Sequence, residues 1–139
     1  MKLLPIAVLL TIAVALAATM DVPMMQPKDL AAQLTGNGSK PMVIQVGPNV
    51  MFRSKHIAGS SFAGPGSSAA GLDLLKAAVV SVPKDREIAL YCGCCPWDRC
   101  PNINPAIALL KDLGYTRVKA VYIKENFKTD WSDPGYPVD

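Results

Sequence analysis

Outside one nine-residue stretch this chain has no cysteine, and it has a single histidine, His56. The lack of dispersed cysteines excludes the disulfide framework that staples many small exported domains, where each bridge closes a long loop. The lone histidine sits in the turn Lys55-His56-Ile57-Ala58-Gly59-Ser60, where it is expected to be a structural hydrogen-bonding residue rather than a base or ligand. Charge of either sign is also scarce. The formal net charge is +3, and one of those positive charges is Lys2. No basic field therefore argues for a nucleic-acid partner. No internal repeat, low-complexity block or linker divides the chain into two hydrophobic cores.

The first residues read as an address. Leu3 to Ala18 carries no charge and only Thr11 is polar. This run falls short of the roughly 20 apolar residues a membrane-spanning helix needs. Ala15-Leu16-Ala17 has the small-x-small pattern of a cleavage site, so residues 1–18 are expected to be a secretory signal peptide. An uncleaved anchor is the alternative; no cysteine follows the run to carry a lipid. Residues 19–139 then form one domain, periplasmic or secreted, with no stable membrane insertion after cleavage. Met20, Met24 and Met25, near the new terminus, are read as core or disorder rather than as a soft-metal site.

What the chain does have is a crowd of thiols. Cys92, Cys94, Cys95 and Cys100 lie in Cys92-Gly93-Cys94-Cys95-Pro96-Trp97-Asp98-Arg99-Cys100, directly after the apolar run Ile88-Ala89-Leu90-Tyr91. Around this stretch strands and helices alternate. Helices are predicted from Pro27 to Leu34, from Leu72 to Val80, and after an N-cap at Asn104 with Pro105 in the first turn. A weak helix or turn is expected over 49–56, and a short helix before Pro134. Strands are predicted at Met42–Val46, Ser61–Ala63, Glu87–Tyr91 and Val118–Ile123. The alternation predicts an α/β fold, a parallel sheet covered on both faces, with ligand chemistry at the carboxyl ends of the strands.

Four segments in this order resemble the rhodanese-like (sulfurtransferase) family. They are the Lys55 to Ser60 turn, the strand Ile88 to Tyr91 ending in Cys92, the helix Ala106 to Tyr115, and the ending Trp131-Ser132-Asp133-Pro134-Gly135-Tyr136-Pro137. The resemblance implies a three-layer fold, a five-stranded parallel sheet with helices on both faces. It also implies that Cys92 carries sulfur as a persulfide. Three departures accompany it. Gln45-Val46-Gly47 stands where the family has a charged D-V-R, and Asn126-Phe127 where it has paired glycines. The active-site loop is also enlarged: the helix-foot position that usually holds an arginine falls on Asn102, ten residues after Cys92.

On this reading the protein handles sulfane sulfur in the cell envelope. Cys92 is the nucleophile, activated by loop amides and the following helix start, and Cys94, Cys95 and Cys100 are resolving or acceptor thiols. Arg99 is a candidate for holding an anionic sulfur donor, and Trp97 for shielding the thiols or contacting a partner. The expected partners are a small sulfur-containing anion or a thiol acceptor. No cofactor and no metal is expected. Two rivals stay open: a thiol–disulfide oxidoreductase, and a non-enzymatic module in which thiolates bind zinc, Cu(I) or a partner. A phosphatase cradle is disfavoured, because Arg99 lies seven residues after Cys92 rather than six.

Overall fold

The computed structural model describes residues 21–139. The expected signal peptide and Met20 lie outside the described residues. Elements follow in the order β1 (Met24–Met25), α1 (Pro27–Thr35), β2 (Met42–Gln45), α2 (Asn49–Ser54), β3 (Ser61–Phe62), α3 (Ala69–Val79), β4 (Ile88–Tyr91), α4 (Ile103–Asp112) and β5 (Val118–Val121). A short 3-10 turn, Trp97–Arg99, lies in the cysteine loop, and a wide helical turn, Lys128–Ser132, precedes the C-terminus.

All five strands pair in parallel in the order β1-β5-β4-β2-β3. Strand β4 is central and buried on both faces, which is why its sequence is an unbroken apolar run rather than an alternation. Its residues split by parity between two cores. Ile88 and Leu90, with Cys92 beyond them, join Ile44, Leu75, Val79, Ile103, Ile107 and Leu110 in the layer roofed by α3 and α4. Ala89 and Tyr91 join Leu30, Ile57, Phe127 and Trp131 under α1 and the C-terminal turn. The expected three layers are therefore present.

The fifth strand is the one the sequence concealed. Met24–Met25 pairs with Ala120 and Val121 at the sheet edge; Met25 is buried, whereas Met24 is half exposed. Two residues show no periodicity, so tertiary pairing alone makes them a strand.

Two helix starts differ from the prediction for identifiable reasons. Helix α3 begins at Ala69, capped by Ser68, whose Oγ accepts the Gly71 N–H at 3.0 Å. Gly71 lets that first turn press on the Pro65 carbonyl, where a Cβ would stand 1.8 Å from the oxygen. Helix α4 begins at Ile103 rather than Pro105, with Asn102 at the N-cap position. Pro105 thus occupies the first turn, where a missing N–H costs no intrahelical bond. The Asn102 side chain does not cap the helix; it is engaged elsewhere, with consequences for the site.

Candidate thiol site

Strand β4 ends by carrying Cys92 to the carboxyl edge of the sheet, next to β2, where the chain order reverses. This is where parallel sheets place ligands. Gly93 then turns the chain with φ +76°, a conformation glycine adopts without strain. A Cβ there would lie 2.9 Å from the Phe127 side chain. The Phe127 N–H donates to the Gly93 carbonyl at 3.1 Å, so Asn126-Phe127 seals the loop from below. The other end is pinned by the Trp97 N–H donating to the Lys124 carbonyl at 3.0 Å, and by the edge of Trp97 against Tyr122.

Within that loop the thiols converge. The Sγ atoms of Cys92, Cys94 and Cys95 all lie within 4.8 Å of one another, with 3.1 Å between Cys92 and Cys94 and 3.1 Å between Cys94 and Cys95. Cys100 stands outside this trio on the α4 side, near enough for Cys92, Cys95 and Cys100 to shift one another's ionisation. All four are free thiols; Cys92 is buried and the others half-buried.

Three residues overlooked as site candidates hold Cys92 in place. Asn102 is only 3% exposed. Its Nδ2 donates to Cys92 Sγ at 3.3 Å, while its Oδ1 accepts the Ser67 N–H at 3.0 Å. Gln45 donates from Nε2 to the Cys92 carbonyl at 3.4 Å. Gly47 runs so close that a Cβ would stand 2.8 Å from the Cys92 carbonyl oxygen and 3.0 Å from its Sγ. The neutral Gln45-Val46-Gly47 thus makes a tight cradle where the family motif places charges. Counting back along α4 had singled out Asn102 by position, but an uncharged amide gave no signal of a role.

The electrostatics divide the thiols unequally. Cys100 is lowered to about 6, first by the Cys92 thiol that donates to it, then by the backbone N–H groups of Asn102 and Ile103 at the start of α4. Cys92 is pushed well above the ordinary thiol range, first by that same contact with Cys100 and then by burial. Burial, followed by the neighbouring Cys94 thiol, pushes Cys95 up to about 12. The helix-start amides expected to act on Cys92 act on Cys100 instead. Because the two sulfurs share a proton, the charge belongs to the pair.

The remaining sequence candidates separate. Trp97 is half-buried and packs beside the thiols, whereas Arg99 is exposed and stands outside the cluster. His56 is structural: Phe52 stacks on its ring, and Nδ1 lies 2.8 Å from the Phe52 carbonyl. The turn that contains it is tied to the site strand, since the Ile57 N–H donates to the Tyr91 hydroxyl at 3.1 Å.

Two openings reach the cluster. Cys94 faces a cleft of about 680 Å³ walled by Val50, Met51 and Phe127, with Lys55 at its rim. Cys100, with Trp97 and Ile103, lines a second, smaller cleft of about 340 Å³.

No family model matches the sequence, and no curated protein does. The fold, however, has solved counterparts. The rhodanese-like domain of the Alr3790 protein from Anabaena sp., determined in solution, superposes with a TM-score of 0.64 at 20% identity, over 84% of this chain and 78% of that one. A crystal structure of the Alr3790 protein gives a TM-score of 0.64 at 19% identity, over 83% and 90%. The BH2092 protein of Bacillus halodurans gives 0.65 at 19%, over 85% and 77%. The chain has a rhodanese-like fold.

Proposed function

We propose that this rhodanese-like chain is a sulfurtransferase-type protein that receives a sulfane sulfur on Cys92 and passes it on with the help of its neighbours. The observation that carries this reading is the convergence of the free thiols of Cys92, Cys94 and Cys95 at the carboxyl end of the central strand, with the free Cys100 nearby. The Cys100 thiolate takes the Cys92 proton as the Cys92 sulfur attacks the outer sulfur of a donor such as thiosulfate or an organic persulfide. Sulfite or a thiolate leaves, and Cys92 bears a persulfide with no net oxidation. The Asn102 amide and the Cys94 backbone N–H stabilise its charge.

Two exits follow. An external thiolate entering from the cleft at Cys94 can take the outer sulfur and leave as a persulfide. Alternatively the Cys94 thiolate attacks Cys92 Sγ, 3.1 Å away, forming a disulfide and expelling hydrosulfide. An external dithiol then reduces the bridge. The N-terminal apolar run supports placing this chemistry in an exported protein.

The test is intact mass after incubation of the reduced chain with thiosulfate or polysulfide. One added sulfur atom is expected, absent in Cys92→Ala. A chain that cycles only between dithiol and disulfide, with no adduct from any donor, would make it an oxidoreductase instead.

A further inference from the structure

The sulfurs of Cys92, Cys94 and Cys95 form a triangle with two sides of 3.1 Å and all three atoms within 4.8 Å of one another. The sulfur-transfer steps use Cys92, Cys94 and Cys100 and leave Cys95 idle. No imidazole or carboxylate belongs to the group. The Asn102 amide donates into it, 3.3 Å from the Cys92 sulfur and 3.9 Å from that of Cys94. Three sulfurs with no harder ligand among them suit a soft centre that takes three bonds.

Charge and shape narrow the choice. Cys92 is 4% exposed, and Trp97, Ile103, Val121 and Ile123, which line the small void beside Cys92 and Cys95, carry no charge. A net charge on the cluster has little there to balance it, and burying an unbalanced charge is costly. Three thiolates around Cu(I) carry two negative charges. Around zinc they carry one, and zinc also asks for a fourth ligand. Around a trivalent centre the charges cancel. Shape agrees: with bonds to sulfur of about 2.3 Å, a flat three-coordinate ion holds its sulfurs about 4 Å apart, and a near-right-angled pyramid about 3.3 Å apart. The two sides of 3.1 Å match the pyramid.

We propose that Cys92, Cys94 and Cys95 bind trivalent arsenic, whose lone pair makes it pyramidal, taken up as arsenous acid and beyond the sulfur-transfer role. Each thiol displaces one hydroxyl. Three As–O bonds break, three As–S bonds form, and the three S–H protons leave with the hydroxyls as water. Arsenic stays trivalent, so no oxidant or reductant is needed. Arsenous acid is uncharged at neutral pH, so it passes the apolar wall of Val50, Met51 and Phe127 beside Cys94 without losing the hydration of an ion. Cys100 lies outside the triangle and keeps its thiol. Because Cys92 is a ligand, arsenic and persulfide exclude each other.

The experiment adds sodium arsenite to the reduced full chain without oxygen, removes the excess, and reads intact mass and the arsenic X-ray absorption edge. One arsenic per chain is expected, with three hydrogens lost and three sulfurs as its only ligands. Cys94→Ser and Cys95→Ser should each remove one sulfur from arsenic and weaken uptake at least about 10-fold. Cys100→Ser should keep all three sulfurs. Far-UV circular dichroism checks that each variant is folded. No adduct on the wild-type chain overturns the proposal. So does arsenic held by two sulfurs, or a third sulfur that is lost in Cys100→Ser and kept in Cys95→Ser. Persulfide loading of the arsenic-free chain is measured in parallel. Loading without arsenite uptake defeats this proposal alone, and uptake without loading defeats the sulfur-transfer reading alone.

Discussion

A thiol that gives up its proton among other thiols raises the cost of ionising each neighbour, and this governs the chemistry at the residue scale. The proton shared between Cys92 and Cys100 leaves the charge on the sulfur that the α4 amides reach, so Cys100 is ionised above about pH 6. Cys95, pushed up to about 12, stays protonated at neutral pH. Alkylation with iodoacetamide at pH 7 is therefore expected at Cys100 first. Peptide mapping across pH should show that rate rising as pH climbs through about 6. A first-labelled site other than Cys100, or a midpoint at the ordinary thiol value of 9.0, contradicts this division. The gathering of the cysteines was legible in the sequence because four thiols in nine residues cannot be far apart. Which of them holds the charge was not legible, because it depends on whose sulfur meets the helix start.

At the scale of elements, the enlarged loop is held by its two ends and one buried amide. Asn102 stands at the foot of α4 and joins three segments: Cys92 after β4, Ser67 before α3, and its own helix. Replacing it by leucine keeps most of the volume but removes its hydrogen bonds to Cys92, Cys94 and Ser67, leaving the Ser67 N–H without its acceptor. Asn102→Leu is expected to cost about 1–3 kcal/mol of stability. The same change should speed alkylation of Cys92 as the loop loosens. A denaturation midpoint equal to wild type would show that Asn102 is not the clasp. Strands β2, β4 and β5 were readable because their runs are short, apolar and bounded by turn residues. The start of α4 was misplaced because Asn104-Pro105 has the look of a cap. The residue at the true cap position, Asn102, spends its side chain on the thiol site, a use that local pattern does not encode.

For the whole molecule, the parallel sheet separates two cores, and the site lies where both meet. Tyr91 and Phe127 belong to the core behind the loop, Cys92 and Ile103 to the one in front. Trp131 anchors the rear core: fully buried, it donates from Nε1 to the Pro137 carbonyl at 2.8 Å and meets the edge of Tyr136. Trp131→Ala should cost about 3–5 kcal/mol, read by chemical denaturation. A loss under about 1 kcal/mol would mean that the C-terminal turn does not support the core. The order of elements was legible throughout, but strand β1 required the assembled edge of β5 to exist at all. No helix among the described residues is long and apolar enough to cross a membrane.

The most direct measurement follows sulfur on Cys94→Ser by time-resolved peptide mass together with released sulfide, after one exposure to an organic persulfide and without an external acceptor. The account predicts that the added sulfur stays on Cys92 in the variant and that sulfide release falls at least about 10-fold below wild type, because the resolving thiolate is gone. An added sulfur on any other cysteine, or none at all, would contradict it.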